Sequence, residues 1–290
     1  KIYQNPFKLK WTKNFSDKIR RVTFLEFKKL NLRAKNISSK NDKKYSAQNE
    51  LFIMGKRLLF DYKIEDNLIS FISNNSELAN PNAEYAGTIK LEPFNFKVDI
   101  NLNQLNFKKL IKIQDIIAEL LKTNLFFNKN LNGYISLNIK KILGNKIFDN
   151  SKILINFDDG KINLDKSNFS SKKVGSLNLY QSSMETINNE LLFRASYDFK
   201  ITDQNKFYRI FQVSKVNRKL IKNIYFDVEY NLFNRELKIL DFRVNDREKS
   251  ANDNTIEFLD EYNNKTKDEK IENWIDLKNF VNKIIIRYFG

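Results

Sequence analysis

The chain of 290 residues contains no cysteine and no histidine. Without cysteine there is no disulfide framework and no thiolate metal site. Without histidine, the most frequent general base and the most frequent metal ligand are both missing, so Ser-His-Asp and Cys-His triads cannot be built. A Ser-Lys dyad has no surrounding motif in this sequence. We therefore predict a protein that is not an enzyme, with no catalytic residue, no metal and no cofactor.

Glycine and proline are scarce, with 7 and 3 residues, whereas average shares are about 7% and 5%. The glycines stand singly, so there is no Gly-rich phosphate loop and no support for nucleotide binding. The acidic pair Asp158 and Asp159 before Gly160 resembles a cation site. The flanking apolar runs at 153–155 and 162–164 favour a hairpin turn instead.

The net charge of +16 suits a polyanion such as nucleic acid or an anionic membrane surface. The basic clusters at 18–21, 40–44 and 218–219 are short, however, which favours solvated strand faces over a binding patch. Aromatic residues alternate with basic ones at 24–29 and 207–209, a pattern that also occurs in base-stacking platforms. We predict that these rings are buried, because they occupy core-facing positions. Nucleic acid is therefore the less favoured partner.

Alternation of apolar and polar residues is the dominant pattern, and it is typical of amphipathic β-strands. The longest runs, followed by shorter ones, are 191–201, 224–232, 94–102, 58–64, 131–139, 162–164 and 177–179. We predict a mostly β fold with a few helices, in which long antiparallel strands form a curled sheet or groove and short helices pack on it. The apolar positions shift by one residue between 237–239 and 240–244, which predicts a bulge or a strand that changes faces.

Helical spacing is found in 104–122, in 203–213 with Asp203 as its N-cap, and in 274–288. The predicted organisation, in chain order, is a β-rich region with one amphipathic helix over 1–130, a second β region with a short helix over 131–245, a polar linker over 246–272 and a terminal amphipathic helix over 273–290. For the last helix, ordinary packing is favoured over a position on a membrane surface.

A series of motifs between 131 and 245 carries a resemblance. In order, the motifs are LNGYISL at 131–137, FDDGKINL at 157–164, VGSL at 174–177, a strand ending in DFKI at 198–201, a short helix FYRIFQV at 207–213 and a hairpin at 224–244. This arrangement resembles the C-terminal region of AsmA-like proteins of the Gram-negative envelope. The first 130 residues fit only in style, as amphipathic strands with one helix.

The resemblance implies a curled antiparallel sheet that forms an apolar groove in the periplasm. It also implies a non-enzymatic role in phospholipid transfer between the inner and outer membranes, or in outer-membrane homeostasis. The implied partners are phospholipid acyl chains, other envelope proteins, and the inner membrane through an N-terminal anchor that this sequence lacks. We expect a piece of a longer, membrane-anchored protein, because the sequence opens at Lys1 and contains no apolar run of about 18 residues.

The predicted lining of the groove consists of alternating strand positions, which are Phe94, Phe96, Val98, Ile100, Leu191, Phe193, Tyr197, Phe199, Phe226 and Val228. An alternative stays open, in which the same apolar faces close on each other or on the helices and form a dry core. Two other classes of protein also stay open: a basic nucleic-acid-binding module, and a structural or adhesive surface β protein.

Overall fold

The computed structural model describes residues 7–14, 19–28, 32–41, 44–53, 56–73, 83–106, 121, 125–144, 147–188, 190–234, 236–246, 251–265 and 274–289. Within these residues the fold is mostly β with a few helices, as the sequence predicts, and three α-helices are described over their whole length.

The strands of the described residues, in chain order, are β1 (Phe7–Asn14), β2 (Ile19–Phe27), β3 (Leu32–Asn41), β4 (Lys44–Ile53), β5 (Lys56–Glu65), β6 (Leu68–Ser73), β7 (Ala83–Lys90), β8 (Asn95–Leu102), β9 (Leu105–Asn106), β10 (Gly133–Ile139), β11 (Ile142–Leu143), β12 (Asn150–Asp158), β13 (Lys161–Asn163), β14 (Asn168–Ser170), β15 (Gly175–Ile187), β16 (Glu190–Ile201), β17 (Asn223–Asn231) and β18 (Glu236–Val244). The helices are α1 (Gln204–Phe211), α2 (Asp253–Asn263) and α3 (Trp274–Phe289), and single 3₁₀ turns cover Leu125–Phe127 and Lys215–Asn217.

The chain divides into two compact units. Unit 1 comprises Lys1–Lys141 and Ile155–Gly160, and unit 2 comprises Ile142–Leu154 and Lys161–Gly290. The domain boundary predicted after residue 130 stays a prediction.

In unit 1, the strands β1 to β8 are antiparallel neighbours in chain order. The strand β10 then pairs with β8 in parallel, so the sheet is mixed. Because neighbouring residues of a strand point to opposite faces, this register decides which side chains of different strands share a face.

In unit 2, β15, β16, β17 and β18 are antiparallel neighbours, and the shorter β13 and β14 pair with β15. One face of this sheet carries a hydrophobic core to which all three helices contribute. The buried helical side chains are Phe207, Tyr208 and Phe211 from α1, Leu259 and Tyr262 from α2, and Phe280, Ile284 and Ile285 from α3. Unit 2 is therefore a sheet with a closed, helix-covered core.

Several local predictions are confirmed. Asp203 is the N-cap of α1, where its carboxylate accepts a hydrogen bond from the Lys206 backbone N–H at 2.9 Å. Leu240 is the additional residue of a β-bulge, since Asp227 pairs with Asp241 and Val228 with Ile239. Between β12 and β13, Asp159 and Gly160 both have positive φ, as in a two-residue hairpin turn.

The predicted linker over 246–272 is wrong for residues 253–263, which form α2. Its buried residues Thr255, Leu259 and Tyr262 have the spacing of one helix face, and the Asn252 side chain caps its N-terminus. The remaining residues of α2 are mostly polar, and this composition masks the pattern. The helix predicted over 104–122 lies mostly outside the described residues, and its first part contains the short strand β9.

Candidate functional site: the apolar strand face of unit 1

Cross-strand pairing brings apolar side chains from five strands of unit 1 onto one face. Val98 of β8 pairs with Gly87 of β7, and Gly87 pairs with Phe71 of β6. On the other side of β8, Val98 pairs with Ile135 of β10. We call this surface the apolar face, and its members are Leu58, Phe60, Tyr62, Ile64, Ile69, Phe71, Tyr85, Gly87, Ile89, Phe96, Val98, Ile100, Ile135 and Leu137.

The side chains of the apolar face are half-buried. On the opposite face of the same strands, Lys97 and Asp99 of β8 and Ser70 of β6 are exposed. The three α-helices described over their whole length belong to unit 2, while Leu121 of unit 1 is a buried helical residue. The side chains of the apolar face are therefore hydrophobic but partly accessible to solvent.

Two aromatic rings lie along the sheet, over glycines of the neighbouring strand. A Cβ added to Gly87 would lie 2.6 Å from Cζ of Phe71, and one added to Gly133 would lie 2.8 Å from ring atoms of Phe96. Phe60 has ring-to-ring distances of 5.8 Å to Phe71 and 6.3 Å to Tyr85. These contacts place aromatic rings over the backbone of the sheet at Gly87 and at Gly133.

The polar atoms of this surface have partners in the protein. The Tyr85 hydroxyl donates to the Leu59 carbonyl at 2.6 Å, and burial raises the pKa of Tyr85. Nearby, the Asn36 amide donates to Oδ1 of Asn49 and to the Tyr62 hydroxyl, both at 2.8 Å. Because Asn49 pairs with Phe60, this amide cluster lies on the same face, beside the aromatic part.

Four of the ten predicted groove residues belong to unit 1. Phe96, Val98 and Ile100 are members of the apolar face. Phe94 lies in the turn before β8, where it is 38% exposed and its ring centre is 6.2 Å from that of Phe96. Phe96 also contacts Phe157, with 5.3 Å between the ring centres. The structure brings these candidates together.

The other six candidates lie in unit 2, and four of them correct the groove prediction. Phe199 and Val228 are buried members of the helix-covered core. Tyr197 and Phe226 pack against that core and stack on each other, with ring centres 4.8 Å apart. Burial raises the pKa of Tyr197 to about 12. The dry-core alternative therefore holds for these four residues, because α1, α2 and α3 occupy the space that a groove needs.

The remaining two candidates lie at the other end of β16. Leu191 is fully buried, and Phe193 is half-buried and pairs with Met184 and Tyr230 on the neighbouring strands. Leu191 and Phe193 extend the apolar surface of the unit 2 sheet.

The aromatic residues of 207–209 are buried, as the sequence predicts: Phe207 and Tyr208 are core residues of unit 2. Sequence reasoning missed Phe60, Phe71 and Tyr85 as parts of the candidate site. Each of them occupies an alternating strand position, so the local signal was present. Their proximity to Val98 depends on the pairing register, which the sequence does not reveal.

A shallow depression of about 640 Å³ lies mostly on the opposite face of unit 1. Its lining mixes apolar residues with polar and charged ones, including Gln48, Asp61, Lys63, Ser70 and Ile72. Among the residues that the structure describes, no three acidic side chains form a group that could hold a metal ion. None of the helices in this described part is both long and apolar enough to cross a membrane.

Comparison of the chain with models of known protein families, with curated proteins and with solved structures finds no match. The resemblance to AsmA-like proteins stays a prediction.

Proposed function

We propose that unit 1 binds phospholipid acyl chains on its apolar face, and that the protein acts without catalysis in phospholipid transfer or outer-membrane homeostasis. One observation carries this proposal: the apolar face joins five strands into one aromatic and aliphatic surface whose side chains are only half-buried. Large exposed apolar surfaces on proteins mark sites of interaction with proteins, membranes or ligands. In unit 2, helices cover the apolar face of the sheet and form a closed core. The proposal is therefore restricted to unit 1.

The dimensions of the apolar face fit an acyl chain. Five neighbouring strands span roughly 19 Å at about 4.8 Å per strand, and one leaflet of a bilayer has a hydrocarbon thickness of roughly 15 Å. Each methylene removed from water contributes about 0.8 kcal/mol, so half-coverage of a sixteen-carbon chain contributes roughly 6 kcal/mol before the entropic cost of binding. That gain is sufficient for reversible binding, which a transfer protein needs.

The polarity of the two faces supports the same ligand. The opposite face mixes the exposed charges of Lys97 and Asp99 with separate exposed apolar residues such as Ile72, whereas the apolar face offers tails a connected surface of rings and aliphatic side chains. The amide cluster of Asn36 and Asn49 lies beside the apolar face, and its polar groups suit the headgroup of a lipid whose tails lie on that face. The periplasmic location and an inner-membrane anchor in the full-length protein are proposed from the AsmA-like resemblance of residues 131–245.

The test is native mass spectrometry with parallel lipid extraction, on protein expressed in a bacterial periplasm and purified without detergent. Val98→Asp adds a carboxylate to the apolar face, and Ser70→Asp adds the same charge to the opposite face as a matched control. The proposal expects co-purifying phospholipid in the wild type and in Ser70→Asp, and its loss in Val98→Asp with unchanged circular dichroism. Lipid-free wild type, or equal lipid content in both variants, would count against acyl binding on this face.

The dependence of binding on salt concentration distinguishes acyl-chain binding from binding of nucleic acid. Binding through phosphate contacts collapses between about 50 and 200 mM salt, whereas burial of acyl chains does not. A ligand that is lost over this range is therefore held by charge and not by the apolar face.

A further inference from the structure

The segment between α1 and β17 combines exposed aliphatic side chains with basic ones. Residues 214–222 read SKVNRKLIK, with four basic residues and no acidic one. Val216 is 85% exposed, the largest value among the big hydrophobic side chains that the structure describes, and Leu220 is 61% exposed. We call residues 214–222 the basic loop.

The basic loop is held in place by contacts with unit 2. The Lys219 carbonyl accepts hydrogen bonds from the Gln204 amide at 2.6 Å and from the Tyr208 hydroxyl. Arg218 donates through Nε to the Val213 carbonyl at 3.0 Å, and its guanidinium lies 5.6 Å from the centre of the Tyr208 ring. Val216 and Leu220 are therefore presented to solvent at fixed positions on the protein surface.

The core side of the loop is equally well fixed. Ile221 is fully buried in the core of unit 2. The Leu220 carbonyl accepts a hydrogen bond from the Asn245 amide at 2.7 Å. Because Leu220 and Ile221 are adjacent, the loop places one aliphatic side chain in the core and the other in water.

Further basic side chains lie at the same end of the sheet. Ile201 donates its backbone N–H to the Lys222 carbonyl, and Thr202 donates to the Val174 carbonyl, both at 2.7 Å. These bonds place the turn that contains the exposed Lys172 and Lys173 next to the loop.

The acidic groups around the loop, among the described residues, include Asp149, Asp203 and Asp246, and also Asp276 in the first turn of α3, the helix that packs against residues 215–217. The Asp203 carboxylate forms an ion pair with Lys206 at 2.9 Å, and Asp149 accepts the Lys172 backbone N–H at 2.8 Å. The basic side chains of the loop and of Lys172 and Lys173 outnumber these carboxylates, so the end of unit 2 has a positive character.

We propose that the basic loop docks unit 2 on an anionic phospholipid bilayer, with Val216 and Leu220 in the interface and the lysines at the headgroups. Exposed aliphatic side chains gain free energy among acyl chains, and basic residues near an anionic leaflet are attracted to its surface. Single-stranded nucleic acid is bound by aromatic stacking platforms, and the loop contains no aromatic residue. The proposal is independent of acyl binding on the apolar face of unit 1.

The absence of cysteine permits a direct test with a single label. Val216→Cys, labelled with the environment-sensitive dye NBD, reports on the loop, and Leu240→Cys provides a matched exposed position on β18. Both variants carry Val98→Asp, which removes the proposed lipid site of unit 1. The labelled full chains are mixed with vesicles of phosphatidylcholine alone, or of phosphatidylcholine and phosphatidylglycerol at two to one.

We expect a blue shift and increased emission from the label at 216 with the anionic vesicles only, and no change from the label at 240. No change at 216, or equal changes at both positions, would overturn the proposal. A loop-dependent change with an oligonucleotide but not with vesicles would assign the loop to nucleic acid and would also overturn it.

A charge test follows by vesicle co-sedimentation. Lys215→Gln with Lys219→Gln removes two charges from the loop, and Lys161→Gln with Lys238→Gln removes two from exposed strand positions elsewhere in unit 2. At about 1 kcal/mol per basic side chain near the surface, the loop variant should bind anionic vesicles at least roughly tenfold more weakly. An equal loss in both variants would show a general effect of net charge and would contradict docking through the loop.

Discussion

Truncation of Phe199 and of Val98 should have very different effects on stability, because one side chain lies in a closed core and the other on the half-buried apolar face. Phe199 is 7% exposed and contacts Phe148 and Phe207, each with 6.0 Å between ring centres. Replacement of a core phenylalanine by alanine costs about 3–5 kcal/mol through lost burial and the cavity. Val98→Ala removes two methyl groups from a partly solvated site and should cost about 1 kcal/mol or less.

The chain has two tryptophans, and each unit contains one of them: Trp11 in β1 and Trp274 at the start of α3. Urea unfolding followed by fluorescence can therefore be assigned to unit 2 in a Trp11→Phe background and to unit 1 in a Trp274→Phe background. With a slope of about 2 kcal/mol per M urea, Phe199→Ala should lower the midpoint of unit 2 by roughly 2 M. Val98→Ala should lower that of unit 1 by roughly 0.5 M or less.

Two results would refute this reasoning. A small shift for Phe199→Ala would mean that the face of β16 is not a closed core. A shift for Val98→Ala as large as that expected for Phe199→Ala would mean that the apolar face of unit 1 is tightly packed, with no room for a ligand.

Three further predictions concern unit 2. Asp203→Ala should lower the urea midpoint of unit 2, because it removes the N-cap of α1. The hydrogen bond from the Lys206 backbone N–H holds the pKa of Asp203 below its usual value. The difference in urea midpoint between Asp203→Ala and the wild type should therefore disappear as the pH falls through that lowered pKa. Tyr197→Phe should reduce the loss of stability that the wild type shows between about pH 10 and pH 12, since Tyr197 of the unfolded chain releases its proton first. Part of the loss should remain, because burial also raises the pKa of Tyr208. Urea midpoints of unit 2 at about pH 9 and about pH 11.5 check this, and the same fall in both proteins would refute it. Asn263→Ala removes hydrogen bonds to the backbone N–H and C=O of Ile239, at 3.0 and 2.8 Å, and should cost about 1–3 kcal/mol; unchanged hydrogen exchange at the Ile239 amide would contradict this.

The alternation of apolar and polar residues predicted strands such as β5, β8, β16 and β17 but left β1, β4, β6 and β7 unpredicted. The parity shift near Leu240 predicted the bulge. The alternation could not distinguish an accessible face from a closed core, since Val98 and Phe199 both occupy apolar positions of alternating strands. The difference comes from the helices that pack on the face of β16: α1 follows that strand directly, whereas α2 and α3 lie far from it in the sequence. One of them, α2, was missed because only Thr255, Leu259 and Tyr262 mark its buried side in a polar segment.

The composition of the apolar face was predictable only in part, for a related reason. Phe71 and Tyr85 belong to different strands from Val98, and they join it through the antiparallel register. Register depends on pairing between distant segments, and a shift by one residue would move every side chain to the other face. Residues within one strand were therefore predictable, whereas their neighbours across strands required the structure.

Photo-crosslinking in bacterial cells tests acyl binding on the apolar face most directly. A benzophenone amino acid is placed at Val98 on the apolar face, and separately at Ile72, which is exposed on the opposite face. The account predicts phospholipid adducts, identified by mass spectrometry, at position 98 and not at position 72. No adduct at 98, or the same adducts at both positions, would contradict lipid binding by the apolar face of unit 1.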